Sequence, residues 1–262
     1  MNALAGKRVL NTRALEQQAA LDRLLIERSA IPVSLPCIAI EPLPSTGKLD
    51  AELRRVAGGE YEWLLLTSMN ASSAIEERVR ALDLGISARV GAVGKTTATA
   101  VERWLGRAVD VVPIQQQAVA LAASLPLTPG DRVLIPASSK ARTDLAETLR
   151  ARGAVPYVVE AYRTVAMADG GWQMTEEVFD AIAFASPSAV EGFAQRLASG
   201  GIHPEDLRRA AIGCIGSTTL QAAIAAGFSQ AVQGPEETLD GLIAALELGI
   251  AAQAEREASR TL

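Results

Sequence analysis

The chain has 262 residues, enough for two modest cores, and its 49% hydrophobic but only 4% aromatic content means that those cores are built from Ala, Leu, Val and Ile. A formal net charge of -5 excludes a general affinity for nucleic acid or anionic membrane, though not a local basic cleft, and no apolar run reaches membrane-spanning length. Cys37, Cys214 and the single His203 offer no zinc or iron–sulfur spacing, so neither a bound metal nor a histidine-based mechanism is expected.

In chain order, Lys7 to Leu10 is a short strand ending at Asn11-Thr12-Arg13, followed by a helix with Leu21, Leu24 and Leu25 on one face and an extended run at Ile31 to Val33. Cys37 lies in an apolar run within the proline-rich passage Pro36 to Pro44 and reads as a buried small hydrophobe, as does Cys214. A helix is expected near Leu49 to Val56. The run YEWLLLTSMNASSAIEERV from Tyr61 is a buried strand ending in small polar residues, Ser68 among them, with a helix from Asn70. Val90 to Gly106, VGAVGKTTATAVERWLG, turns from strand to helix through Gly94, Lys95, Thr96 and Thr97. The first amides of such a helix lack partners within it, and the helix dipole favours an anion there. Val109 to Val112 is extended, and Ala118 to Leu125 is helical.

A strand at VLIP and a helix through Leu145 and Leu149 come next. FDAIAFASPSAVEGFAQRL from Phe179 is again a buried strand, now ending at Ser186 and Ser188 with a helix from Pro187. His203 precedes a proline at a helix entrance, where a capping or surface role is expected. IGCIGSTTLQAAIAAGF, from Ile212, repeats the glycine and hydroxyl turn with Gly216, Ser217, Thr218 and Thr219. Ala231-Val232 is extended, Leu239 to Leu248 helical, and the tail AAQAEREASRTL reads as a frayed helix end.

Internal repetition organises these elements. Gly94, Thr96 and Thr97 recur at one offset as Gly216, Thr218 and Thr219, and Ser68 and Ala71 recur as Ser186 and Ala189. Arg8, Val9, Leu10, Leu21, Leu25, Arg28, Ala30 and Pro32 recur as Arg132, Val133, Leu134, Leu145, Leu149, Arg152, Ala154 and Pro156. The order is therefore A1, B1, A2, B2, with strands alternating with helices, which implies α/β architecture with parallel sheets covered on both faces. Ligands of such folds bind beyond the carboxyl ends of the strands, where Arg13 and Lys95 are candidate cations. The repeat leaves open whether A1 folds with B1, or with B2 around an inserted B1–A2 domain. A nucleotide-binding P-loop is a poor reading of Gly94-Lys95-Thr96, because Arg89 stands where its first glycine belongs.

Taken together, Thr12-Arg13, LLLTSMNA, AVGKTTATA, VLIPASSKARTDLAETLRARGA, EAYRTV, FDAIAFASPSAV, AIGCIGSTT and LDGLIAAL resemble the uroporphyrinogen-III synthase family over nearly the whole chain. The resemblance implies two doubly wound, flavodoxin-like α/β domains joined by a two-stranded linker, the second inserted into the first. The first domain would comprise residues 1–36 and 169–262, the second 42–160, and the linker strands 37–41 and 161–168, with the active site in the cleft between the domains. It implies cyclisation of hydroxymethylbilane, a linear tetrapyrrole, without cofactor, while the lack of a long apolar segment at the N-terminus or elsewhere leads to an expected cytoplasmic protein and the low aromatic content to an expected monomer. Tyr162 matches the family's proposed proton donor. Thr97 and Thr219 match threonines at the helix-start turns, and Arg142 matches an arginine that begins the helix after VLIP. Ala137 and Lys140 depart from the arginine and small residue expected in that loop. Substrate-binding candidates are thus Thr12, Arg13, Ser68, Asn70, Lys95, Thr96, Thr97, Ser138, Arg142, Ser186, Ser188, Ser217, Thr218 and Thr219. A non-enzymatic bilobed sensor would share this layout and is the main rival; it would need no Tyr162.

Overall fold

In the computed structural model, residues 2–115, 117–139, 144–167 and 179–260 are described, with side chains to residue 256. The chain divides into two compact units, Met1–Ala39 with Val165–Leu262, and Ile40–Thr164. In the first half of the chain lie β1 (Arg8–Asn11), α1 (Gln18–Glu27), β2 (Ile31–Ser34), β3 (Ile38–Glu41), α2 (Gly47–Ala57), β4 (Trp63–Leu66), α3 (Met69–Ala81), β5 (Arg89–Ala92), α4 (Lys95–Leu105) and α5 (Ala118–Ser124). After them come β6 (Arg132–Ser138), α6 (Asp144–Ala151), β7 (Val155–Ala166), β8 (Ala181–Phe184), α7 (Pro187–Ser199), β9 (Ala211–Cys214), α8 (Ser217–Ala225), β10 (Val232–Gln233) and α9 (Leu239–Arg260). The fold is α/β, and the two sheets run β10-β9-β8-β1-β2 and β3-β7-β6-β4-β5.

Strand pairing relates the repeats directly. A1 contributes β1, which pairs in parallel with β8 of B2, and B1 contributes β4, which pairs in parallel with β6 of A2. Replacing each strand by its repeat equivalent gives the same order in both sheets, with the bridge from Gly91 to Val111 standing where β10 pairs with β9. The addition is β3, alongside β7.

Short apolar runs become central strands because both faces are covered. In Trp63-Leu64-Leu65-Leu66, Trp63 and Leu65 join one buried cluster with Val133, Leu121 and Leu149, and Leu64 and Leu66 join another with Leu53, Ile75 and Val101. In the first unit Ala181 and Ala183 pack with Leu21, Leu25, Leu242 and Leu246. Phe184 turns the other way, with its ring 5.6 Å from Phe193 and 5.7 Å from Phe228.

Two boundaries differ from the sequence reading for local reasons. Helix α3 starts at Met69, before Asn70, because the Ser68 hydroxyl already accepts from the Ala71 N–H at 3.1 Å. The closing helix is longer than Leu239 to Leu248, since α9 continues into the tail as far as Arg260. His203 caps a single 3-10 turn at Pro204–Leu207, its backbone N–H donating to Asp206 at 2.9 Å.

Both chain passages between the units are secured within the first unit against α7. The Cys37 N–H donates to the Thr12 carbonyl at 3.1 Å, and the Met167 N–H donates to the Cys37 carbonyl at 2.9 Å. Arg196 Nη2 donates to the carbonyls of Pro36 at 3.2 Å and Met167 at 2.9 Å. One turn earlier on the same face is Gly192, where a Cβ would stand 2.1 Å from the Cys37 carbonyl oxygen. Burial pushes the Cys37 thiol up to about 12.

Candidate active site

Polar residues gather at the carboxyl ends of the parallel strands in each unit. In the second, β4 and β5 run in register from Trp63 opposite Arg89 to Leu66 opposite Ala92, so Ser68 and Gly94 leave adjacent strands two residues beyond that pair. Ser68 has an extended backbone as the N-cap of α3, and its Oγ lies 3.1 Å from the Tyr162 hydroxyl. Accepting from Ala71 leaves the Ser68 hydroxyl its own proton to give. When that proton goes to the Tyr162 oxygen, the phenolic O–H is left to donate outward. Asn70, in the first turn of α3, is half-buried and engaged in an interaction of its own.

Tyr162 reaches Ser68 through an irregularity in the β6–β7 ladder. Ala137 stands opposite Glu160, but Ser138 stands opposite Tyr162, so β7 carries one extra residue there. Strict alternation would send Ala161 and Tyr162 to opposite faces, yet both pack against the cluster that includes Leu64 and Leu66. The extra residue brings the phenol round to the α3 side of the sheet. Ser138, its partner in register, is half-buried.

Gly94 and Gly216 are the N-caps of α4 and α8, both extended and both without a side-chain cap. Lys95, Thr96 and Ser217 are exposed, and Thr218 is half-buried with a partner of its own. Thr97 and Thr219 are third in their helices, 8% and 3% exposed, and neither hydroxyl makes a hydrogen bond among the described residues. They are therefore not caps. At α8 the Glu237 carboxylate leans over the turn, 2.7 Å from where a Cβ of Gly216 would stand.

In the first unit Ser186 caps α7 as Ser68 caps α3, accepting from the Ala189 N–H at 3.2 Å, and Ser188 is half-buried in the first turn. Thr12 is fully buried and its hydroxyl donates to the Ala183 carbonyl at 2.7 Å, so its side chain holds β1 to β8 and does not face a ligand. Arg13 is half-buried. Its only described side-chain bond is from Nη2 to Gln17 Oε1 at 3.5 Å, it has no carboxylate partner among the described residues, and its Nε is buried without an acceptor. Burial lowers the pKa of this guanidinium. Arg142 lies outside the described residues.

Sequence reasoning missed the polar cluster behind Arg13. Asn11 and Gln18, 0% and 4% exposed, bond reciprocally with each other and both bond the Arg13 backbone, while Gln18 also accepts from Ser34. A glutamine opening an amphipathic, leucine-bearing helix was the available signal. No group of three or more His, Cys, Asp and Glu suited to a metal occurs among the described residues, and none of their helices is long and apolar enough to cross a membrane.

These features define an α/β protein with hydroxyl, amide and guanidinium groups at the carboxyl ends of two parallel sheets. The family model described as uroporphyrinogen-III synthase HemD matches residues 19–244. A uroporphyrinogen-III synthase of Synechococcus elongatus is 28% identical over 255 residues, covering 93% of this chain and 96% of that protein. The chloroplastic enzyme of rice is 29% identical, over 90% of this chain and 78% of its own. Among solved structures, a mutant uroporphyrinogen III synthase from Thermus thermophilus superposes with a TM-score of 0.65 at 21% identity, covering 94% of this chain and 100% of that one. The Helicobacter pylori enzyme gives 0.56 at 14% identity, over 94% and 99% of the respective chains. The chain belongs to the uroporphyrinogen-III synthase family, whose members are lyase-type enzymes of tetrapyrrole synthesis. No comparison supports a non-enzymatic sensor.

Proposed function

We propose that the protein cyclises hydroxymethylbilane, with loss of water and inversion of the last ring, to uroporphyrinogen III. The observation that carries this reading is the Ser68–Tyr162 contact at 3.1 Å, because with Ser68 as the donor in that contact the phenolic proton is free for a leaving group. The substrate's C–O bond breaks with the electron pair on oxygen, Tyr162 supplies a proton, and water departs. The pyrrole nitrogen assists the same bond cleavage. The α-carbon of the last ring that carries the chain then attacks the methylene, its bond to the preceding bridge breaks and re-forms at the ring's other α-carbon, and the proton lost there balances the one Tyr162 gave. Control of that choice is a matter of holding the chain in one geometry.

Eight substrate carboxylates need N–H or cationic partners. Arg13, lacking a carboxylate partner among the described residues, and the side-chain-uncapped turns at Gly94 and Gly216 provide them, with Lys95, Thr96, Thr97, Ser217, Thr218 and Thr219 alongside. This reading also assigns substrate contacts to Ser138 of the second unit, to Ser186 and Ser188 of the first, and to Arg142 through the family resemblance. The domains it requires are 1–36 with 169–262, and 42–160, linked by 37–41 and 161–168. The enzyme works as a cytoplasmic monomer, without cofactor, on a small-molecule substrate rather than on nucleic acid or membrane.

The test supplies freshly generated hydroxymethylbilane to purified protein and separates the oxidised products by isomer. Predominantly isomer III, without added metal or nucleotide, is the expected result. Isomer I alone, formed by folded protein at the rate of the blank, would overturn the reading.

A further inference from the structure

The cluster at the end of β1 is built more elaborately than strand packing requires. Gln18 Nε2 donates to the carbonyls of Asn11 and Arg13, both at 3.1 Å, and its Oε1 accepts from Ser34 Oγ at 2.6 Å. Asn11 closes the circle, since its Nδ2 donates to the Gln18 carbonyl at 3.2 Å and to Asp22 at 2.8 Å, and its Oδ1 accepts the Arg13 N–H at 3.3 Å. The Arg13 backbone is therefore held at both its N–H and its carbonyl by two buried amide side chains. A satisfied buried polar network of this kind rigidifies what it surrounds.

What it surrounds is an unusual charge. A half-buried guanidinium with no carboxylate partner among the described residues and an orphaned Nε is expensive unless an anion completes it. A fixed backbone beneath the side chain limits the entropy lost when that anion arrives. We propose that Gln18, supported by Asn11 and Ser34, is a positioning residue that fixes the Arg13 turn so that the guanidinium is set to receive a substrate carboxylate. This rests on the reading of Arg13 as a substrate-binding residue. Gln18 acts through Arg13 and touches no substrate itself. Gln17, the neighbour that Arg13 does reach, at 3.5 Å, offers only a neutral oxygen and leaves the charge uncompensated.

The experiment is a double-mutant cycle on the steady-state kinetics of the full chain with hydroxymethylbilane, using Arg13→Met, Gln18→Met and the pair. Methionine matches the length of glutamine and the apolar stem of arginine, and removes the hydrogen bonding of either. Arg13→Met is expected to raise KM about tenfold with kcat little changed, and Gln18→Met to do nearly the same by displacing the turn. The pair is expected to be no worse than Arg13→Met alone, because Gln18 has nothing left to position. A Gln18→Met protein that folds with the KM of the wild type, or KM effects that multiply in the pair, would overturn the proposal. Loss of thermal stability alone is what a purely structural glutamine would show, and it too overturns the proposal. Where Gln18→Met fails to fold, Ser34→Ala replaces it, removing only the bond to Gln18 Oε1. A KM rise of a few-fold that vanishes in the Arg13→Met background supports the proposal, and an unchanged KM overturns it. Arg13→Met with an unchanged KM overturns the reading of Arg13 itself, a result distinct from failure at Gln18 alone.

Discussion

Helices α3 and α7 are repeat equivalents, both begin behind a capping serine, and their corresponding residues have been given different work. Position for position, Ala74 of α3 answers to Gly192 of α7, and Arg78 answers to Arg196. Arg78 makes a two-point ion pair with Asp50 of α2, at 2.8 and 2.9 Å, inside the second unit. Arg196 has no carboxylate partner among the described residues and binds the carbonyls of Pro36 and Met167 instead. Ala74 has room for its Cβ, whereas at Gly192 the Cys37 backbone fills that space. The strand ends diverge as well. Arg13 after β1 corresponds to Ala137 in β6, which is buried, and the phenol of the second unit sits on the part of β7 that extends beyond the length of β2. The repeats thus share the scaffold and the helix starts, while Arg13 belongs to one unit and the Ser68–Tyr162 pair to the other.

The largest effect should come from the feature that the first unit lacks. Tyr162→Phe removes one hydroxyl and leaves the ring packed, so kcat should fall about 100-fold, the scale of general acid catalysis, with KM and thermal stability nearly unchanged. Steady-state kinetics with product analysis check this, and an unaltered kcat would remove the donor role. Next is the α3–α7 contrast. Gly192→Ala meets a backbone carbonyl that cannot swing aside and should cost about 3 kcal/mol by thermal or urea unfolding, while Ala74→Gly costs about 1 kcal/mol. Comparable losses at both sites would show that the close approach is not what separates the helices.

The Arg78–Asp50 pair gives the second unit a pH dependence of its own. Its hydrogen bonds to Arg78 hold the Asp50 carboxyl below its ordinary 3.8. The stabilisation is therefore complete above about 3.8 and is lost as pH falls through the lower folded value. Asp50→Asn should lower stability at neutral pH and flatten the fall below pH 4, read from the fluorescence of Trp63 and Trp104, which both lie in the second unit. The smallest effects belong to what the units share. Thr97→Ala and Thr219→Ala should each raise KM a few-fold, on the order of one hydrogen bond, with Thr219 the weaker because Glu237 already lies at its turn.

Much of this was legible in the residues. Alternating apolar runs and 3.6-residue spacing placed the strands and helices, and two copies of each motif placed the polar turns at strand ends. Spacing could not show that Thr12 turns inward to Ala183, because a threonine after a strand reads alike whichever way it faces. It could not reveal the extra residue in β7 that brings Tyr162 to Ser68, since a bulge leaves no mark in an apolar run. Asn11 and Gln18 escaped for a related reason: each is unremarkable alone, and only the return of β2 with Ser34 makes them a network.

Pairing β1 with β8 and β4 with β6 also sets an order of events during synthesis. Residues 40–164 are contiguous, so the second unit has its whole sheet once β7 has left the ribosome. The first strand made has to wait for β8, which begins at Ala181, and until then β1 and β2 present an unpaired edge. Of the strands already emerged, β4 is the repeat equivalent of the missing partner. That chain order lets the middle of the chain close first, and closure of β4 on β6 would deny β1 that wrong neighbour.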